Sequence, residues 1–240
     1  MRTVAIIPVH GRLPLVKLTI QRLINKCGVT EVICLGDTKE EADVCTRAGA
    51  AFAPFKNKPI GRKLNQGFML AQGYGPDAVM YLSSSDWISE GWLSQVALRI
   101  HQFDIIGKLD CNFCHVGSSI RTVHWDGYPY GSSMEGQMIG IGRVLSRQAL
   151  QEMSWKPFDD HINSSLDYSM IFSVMKHCSR KKQLIMNTDA MQSLSISTDL
   201  WSNIHSFHQI LPVSQHRDLR WLIDNFPEIF TLKKSLHEEM

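Results

Sequence analysis

The sequence predicts a doubly wound α/β domain with a mainly parallel central sheet. Three observations carry that expectation. Short apolar runs rich in β-branched residues recur at Thr3–Val9, Glu31–Leu35 and Ala78–Leu82, and each suits a strand buried on both faces. Amphipathic stretches separate them in a β-α-β-α rhythm, which right-handed crossovers turn into a parallel sheet. The strands end at Pro8-Val9-His10, Gly36-Asp37 and Ser84-Ser85-Asp86, on the carboxyl edge where such sheets meet ligands.

Thr3-Val4-Ala5-Ile6-Ile7-Pro8-Val9 opens the sheet. Leu15 to Lys26 is a helix, with Leu15, Leu18, Leu23 and Ile24 on or near one face and Pro14 in its first turn. Glu31-Val32-Ile33-Cys34-Leu35 is the second strand. Glu40 to Ala48 is the second helix, with Gly49 at its C-cap, and Ala51-Phe52-Ala53 is a short third strand. Lys63 to Gln72 is helical. Ala78 to Leu82 is a strand ending in Ser83-Ser84-Ser85-Asp86, and a helix from Gly91 to Gln102 follows.

Beyond Ile106 the pattern is less regular. Strands are expected within Asn112 to His124, a Gly-, Ser-, Tyr- and Pro-rich loop from Trp125 to Met138, and a return to the sheet at Ile139 to Leu145. Helices are expected at Ser146 to Met153, Ser165 to His177, Leu219 to Asn225 and Phe230 to Glu239. No repeat or low-complexity tract interrupts the chain.

The 240 residues carry a formal net charge of +2, with 44% hydrophobic and 20% charged residues. That supports a sizeable core, and the basic excess is too mild to mark a nucleic-acid binder. Six cysteines and no apolar N-terminal signal region point to reduced thiols in a cytoplasm. Cys111-x-x-Cys114 has no second ligand pair of comparable spacing, which favours buried thiols over zinc. No apolar run approaches the ~20 residues that cross a bilayer.

Chemistry gathers at Ser84-Ser85-Asp86. A strand-end carboxylate faces the ligand edge, and one hard oxygen ligand plus substrate phosphates is enough to hold Mg²⁺ or Mn²⁺. The competing reading is an aspartate that caps the next helix. In the second half, Asp159, Asp160 and Asp167 lie before or at the start of a helix. There a carboxylate complements the positive end of the helix dipole. Trp125 to Tyr130 is an aromatic stretch suited to stacking on a ligand or to packing.

The order of these segments resembles the inverting GT-A glycosyltransferases. Val4-Ala5-Ile6-Ile7-Pro8-Val9-His10-Gly11-Arg12 is similar to that family's opening strand and loop. Asn57-Lys58-Pro59-Ile60-Gly61-Arg62-Lys63-Leu64-Asn65-Gln66-Gly67 is similar to its Asn/Gly-rich stretch, and Tyr81 to Trp92 to its D-x-D strand and following helix. Order and spacing agree over roughly the first hundred residues.

The resemblance implies a GT-A, Rossmann-like fold in a single domain over 1–240. Residues 1–105 would form the nucleotide-sugar-binding half, and 106–240 the acceptor-binding half and C-terminal helices. It implies Asp86 as the ligand of Mn²⁺ or Mg²⁺, with Ser84 standing where the family has its first carboxylate. Pro8, Val9, His10 and Asp37 would follow the base and ribose. Lys63 would meet the donor phosphates, Asn65 would hydrogen-bond the nucleotide, and Ser85 would also face the nucleotide sugar. Asp37 also reads as an Asx-turn residue, and Arg62 as part of a solvated basic face. His205, three residues before His208, would be a further metal ligand, although the pattern favours an ordinary surface or core histidine. Asp167 would be the general base, with Asp159 and Asp160 as fallbacks.

The implied reaction moves a sugar, with inversion, from a nucleotide-sugar donor to an acceptor hydroxyl. A UDP-sugar is the foremost donor, and the loop from Trp125 to Met138 is a lid over it. The acceptor is a glycan or a modified base in DNA, the latter prompted by Arg180-Lys181-Lys182, Lys233-Lys234 and the aromatic loop. Two alternatives stand beside this. One is a sugar nucleotidyltransferase, which needs a Gly-rich, Arg-containing loop after the first strand. The other is a non-catalytic nucleotide- or nucleic-acid-binding protein, which the altered D-x-D keeps open.

Overall fold

A computed structural model describes residues 1–187, 190–199, 207–211 and 214–238. The first half alternates strand and helix: β1 (Thr3–Pro8), α1 (Leu13–Asn25), β2 (Glu31–Gly36), α2 (Lys39–Arg47), β3 (Ala51–Pro54), α3 (Ile60–Gln72), β4 (Ala78–Tyr81), β5 (Asp86–Ile88) and α4 (Trp92–Ala97). A 3₁₀ turn at Ile100–Gln102 leads into β6 (Ile105–Gly107), β7 (Cys111–Val116), β8 (Ile120–Trp125) and β9 (Val144–Ser146). Then come α5 (Arg147–Glu152), α6 (Leu166–His177), β10 (Gln183–Ile185) and β11 (Ser193–Thr198). The last elements are α7 (Phe207–Ile210), β12 (Gln215–His216), α8 (Leu219–Asn225) and α9 (Ile229–Glu238).

The central sheet has the order β10-β6-β9-β4-β1-β2-β3. β3, β2, β1 and β4 run parallel, while β9 is antiparallel to both β4 and β6. β1 is an interior strand between β4 and β2, and its sequence explains why. Ala5 and Ile7 face the cluster built with Val16, Ile20 and Leu23 of α1. Val4 and Ile6 face the cluster built with Leu64 and Phe68 of α3 and with Met170 and Val174 of α6. Alternate side chains of one strand thus fill two cores, as the period of two requires.

Helix ends follow local chemistry. Thr38 accepts from the Glu41 backbone N–H at 3.1 Å and Glu41 returns a bond to the Thr38 backbone, a capping box. Gly49, at φ 98°, sits just past the end of α2. The single helix expected from Gly91 to Gln102 is instead split. Arg99 leaves helical geometry (φ −131°, ψ −21°), and the chain turns so that Ile100 enters the core just before β6.

A second sheet, ordered β12-β8-β7-β11-β5, packs beside the first. β5 pairs antiparallel with β11, and β11 parallel with β7. Leu194 and Ile196 of β11 join Cys114 and Val116 of β7 in a third core, covered by Leu222, Phe226, Ile229 and Leu232 of the C-terminal helices. Arg22 of α1 is buried there: it donates to Glu228 at 2.7 and 2.9 Å, to the Asn225 carbonyl at 2.9 Å and to the Ile88 carbonyl at 2.9 Å. Among the described residues, no helix is long and apolar enough to cross a membrane.

Candidate active site

β4 ends at Tyr81, and the chain crosses from the central sheet to the second sheet through Leu82-Ser83-Ser84-Ser85 before β5 begins at Asp86. The crossing is held locally. Ser83 and Ser85 share a hydroxyl–hydroxyl hydrogen bond at 3.0 Å, and the Thr19 hydroxyl donates to the Ser84 carbonyl at 3.1 Å. In the second sheet Asp86 lies opposite Ser195 of β11. Its side chain is nearly buried, at 8% exposure.

Burial pushes the Asp86 carboxyl up to about 6, and the negative charge of Asp167 adds to the rise. Hydrogen bonds from the Ser195 side chain and the Ser83 backbone, together with the charge of Arg12, oppose it. Arg12 reaches this position from a left-handed backbone (φ 56°, ψ 39°) at the N-cap of α1.

Asp167 comes from the other side, in the first turn of α6. It is more open, with 26% of its side chain exposed. The Tyr128 hydroxyl donates to its Oδ2 at 2.5 Å. Arg143 is fully buried behind it, with Nη1 2.8 Å from the Asp167 carbonyl and 3.7 Å from Oδ1. Nε of Arg143 donates to the Ile139 carbonyl at 2.7 Å, and Nη2 to the Met138 carbonyl. The guanidinium therefore ties the 138–140 segment to the start of α6. Gly140 passes so close that a Cβ there would lie 2.4 Å from Asp167 Oδ1.

Asp86 and Asp167 line one cavity of about 340 Å³. Arg12, Ser83, Ser85 and Ser195 surround the Asp86 end. Phe113, Trp125, Tyr128, Ile139 and Ile141 give the rest an apolar wall, and Asn163-Ser164-Ser165 closes the approach to α6. Trp125 and Tyr128 of the aromatic stretch thus both pack and face the cavity, meeting edge to face with centroids 5.4 Å apart, while Tyr130 is exposed.

The rim expected for the nucleotide is built around Glu41. His10 and Asp37 are exposed, and Glu41 lies buried between them. Glu41 Oε1 accepts from the Gly11 N–H at 2.8 Å and Oε2 from the Asp37 N–H at 2.9 Å. It clamps the loop after β1 to the loop after β2. These three residues are the group of potential metal ligands found among the described residues, but both Glu41 oxygens already hold backbone donors. Pro8 is partly buried, and Val9 is buried with its N–H on the Leu35 carbonyl at 2.7 Å.

Lys63 and Asn65 sit inside the scaffold. Lys63 Nζ donates to the Val9 carbonyl at 2.7 Å and to Asn57 Oδ1 at 3.1 Å, and burial lowers its pKa. Asn65 Nδ2 donates to the Phe158 carbonyl and to Asp160 Oδ1, both at 2.8 Å, while its Oδ1 accepts from the Phe158 N–H at 3.0 Å. Asp159 Oδ1 accepts from the His161 N–H at 2.8 Å. None of these four lines the cavity shared by Asp86 and Asp167. His205 lies outside the described residues. Cys111 and Cys114, three apart on one strand, face different cores and cannot share a metal ion.

Sequence reasoning did not single out Arg12, Tyr128, Ser195 or Glu41. Glu41 was open to detection, since Thr38-x-x-Glu41 is a capping-box pattern. Ser195 depends on which strands pair, Arg12 on a left-handed turn before α1, and Tyr128 on the chain after β8 folding back onto α6.

No protein-family model matches the chain, and no curated protein matches it in sequence. Solved structures do match in shape. Residues 1–349 of S. aureus TarS superpose with a TM-score of 0.53 at 14% identity, over 82% of this chain and 60% of that one. The same fragment in complex with UDP gives 0.52 at 14% identity, over 82% and 61%. A 4-diphosphocytidyl-2C-methyl-D-erythritol synthase from Anaerococcus prevotii DSM 20548 gives 0.51 at 11% identity, over 88% and 94%. The fold is GT-A. Asp86 opens a strand of the second sheet, and Asp167 lies in the first turn of α6. The chain spans about 60% of the TarS fragment's length, and identities this low carry the fold alone.

Proposed function

We propose that the chain is an inverting glycosyltransferase that uses a nucleotide-sugar donor, with Asp167 as general base. One observation carries this: carboxylates from two different parts of the fold, Asp86 and Asp167, converge on one cavity at the carboxyl edge of the central sheet. In the reaction, Asp167 takes the proton of the acceptor hydroxyl. The acceptor oxygen uses its electron pair to form the bond to the anomeric carbon. The bond from that carbon to the donor diphosphate breaks on the opposite face, and its electrons leave with the nucleoside diphosphate. A single displacement inverts configuration.

The donor set at Asp86 fits Mn²⁺ or Mg²⁺. It offers a carboxylate in a nearly buried, hydroxyl-rich pocket, its pKa raised by burial first and by the Asp167 charge second. Such ions bind through one or two carboxylates and complete their shell with substrate phosphates. When bound, the ion would supply Lewis-acid stabilisation of the departing diphosphate. Arg12 adds a fixed cation beside Asp86. Tyr128 and Arg143 hold Asp167 in place. The exposed His10 and Asp37, joined through Glu41, form the rim proposed for the nucleotide of a UDP-sugar.

The test is release of nucleoside diphosphate from a panel of nucleotide sugars, with and without Mn²⁺. Wild-type protein releases UDP from one donor, and Asp167→Asn lowers transfer by roughly 10²–10⁴-fold. Transfer at the wild-type rate in Asp167→Asn removes the assignment.

A second reading, a sugar nucleotidyltransferase, has one observation in its favour. Gly11 and Arg12 both take positive φ after β1, and Arg12 turns into the cavity. Pyrophosphate release from a nucleoside triphosphate and a sugar phosphate would select that reading over transfer.

A further inference from the structure

We propose that the acceptor presents its reactive hydroxyl on a planar, weakly polar ring, and that this ring lies against the wall made by Phe113, Trp125 and Tyr128. The inference rests on the glycosyltransferase reading and adds the class of acceptor.

The argument begins with register. Asp86 pairs with Ser195, and Ser195 pairs with Phe113, so these three share one cross-strand row of the second sheet. Two strand spacings put Phe113 about 10 Å along the sheet from Asp86. Cys111 and Trp125 pair in a neighbouring row on the same face. Phe113 and Trp125 meet at 6.0 Å with planes at 70°, and Trp125 and Tyr128 at 5.4 Å with planes at 80°. Such edge-to-face contacts lock ring orientations. The wall therefore runs from the Asp86 row to Tyr128, whose hydroxyl sits 2.5 Å from Asp167.

Polarity decides what can lie on it. A sugar brings several hydroxyls, and each one buried without a partner is unfavourable. The polar lining of the cavity gathers around Asp86 and along the 163–165 segment. On the wall itself the Tyr128 hydroxyl is already donated to Asp167, and Ile139 and Ile141 continue the apolar surface. A flat ring bearing one hydroxyl meets this surface without stranding polar groups, and its hydroxyl finds Asp167. The cavity is about 340 Å³ and its Asp86 end is assigned to the donor diphosphate, so the space left beside the wall suits one ring better than an extended glycan.

Two sources share this chemistry: a free aryl alcohol and a hydroxymethylated base in a polynucleotide. The experiment uses the full chain with UDP-sugars and Mn²⁺, and four acceptors: benzyl alcohol, free 5-hydroxymethylcytosine, a single-stranded oligonucleotide containing that base, and methyl glucoside. Acceptor-independent UDP release is read first, and its absence with every donor counts against the glycosyltransferase reading alone. Saturation-transfer NMR of the same four compounds on wild-type protein then decides ring binding without any turnover. The expected result is saturation of a ring alcohol in preference to methyl glucoside, with at least tenfold stimulation of UDP release. Stimulation by the oligonucleotide alone assigns the polymer source, and stimulation by the free alcohols assigns the small molecule. Trp125→Ala raises KM for the ring acceptor at least tenfold, and Trp125→Phe restores most of the loss. Methyl glucoside matching the ring alcohols in NMR or in turnover overturns the proposal, as does an absence of saturation for every ring compound.

Discussion

Asp86→Asn is expected to stabilise the protein at neutral pH while abolishing transfer. The reasoning starts from burial. The Asp86 carboxyl is raised from 3.8 to about 6, so between these values the folded state holds a proton that the unfolded state has released. Stability therefore falls as pH rises through that window and stays lower above it. A rise of this size corresponds to ~3 kcal/mol at most. Solvent relaxation reduces the realised value to roughly 1–3 kcal/mol. Asparagine keeps the shape and can still accept the Ser195 and Ser83 hydrogen bonds, but it never ionises.

The assay is urea denaturation of wild type and Asp86→Asn at pH 4 and pH 7.5. At pH 4 the two should nearly coincide. At pH 7.5 the variant should be more stable by roughly 1–3 kcal/mol, or about 3–9 °C in Tm for a chain of this size. With Mn²⁺ and UDP present, wild type should gain stability and the variant should gain little. A variant less stable than wild type at pH 7.5, or a difference that does not change with pH, would falsify the claim that Asp86 carries an uncompensated charge.

Two further substitutions probe the supports of the site. Gly140→Ala puts a methyl group 2.4 Å from Asp167 Oδ1, so the carboxylate must move; transfer should drop at least tenfold while UDP binding, measured by calorimetry, persists. Arg22→Met leaves Glu228 without its buried partner and should cost about 3 kcal/mol in denaturant titration, because the side chain joins α1 to β5 and to the segment between α8 and α9.

The parallel half of the fold was legible because its signals are local. β1, β2 and β4 are continuous apolar runs, and α1, α2 and α3 carry one apolar face each, so their identities do not depend on partners. Asp86 and Asp167 were legible for a related reason, since each sits at an element boundary where a carboxylate has little packing role. The second sheet was harder. β11 reads Ser193-Leu-Ser-Ile-Ser-Thr198, a clean alternation whose serines are weak strand formers, and β5 and β6 are three residues each. Those strands exist because tertiary pairing overrides propensity. Ser195 follows from that pairing, whereas Arg12 reaches the cavity from a left-handed backbone at the start of α1 and Tyr128 from the aromatic stretch after β8. Lys63 and Asn65 illustrate the reverse. Their residue types promised contact with phosphate and nucleotide, yet buried carbonyls and amides of the scaffold take up their hydrogen bonds.

The serine at position 84, where the resembling family has a carboxylate, has a physical counterpart in this crossing between sheets. Ser84 is buried, and its carbonyl is fixed by Thr19. Asp86 beside it is already strained toward protonation by burial and by Asp167. A second carboxylate at position 84 would add like charge to a nearly buried site whose nearest fixed cation is the single guanidinium of Arg12, and would push Asp86 further up. One aspartate thus leaves a site that a dication and a diphosphate can complete together, whereas two aspartates would demand the dication at all times. On this argument Ser84→Asp should tighten Mn²⁺ binding in the absence of nucleotide and lower stability when the metal is chelated, two effects that a merely structural Ser84 would not couple.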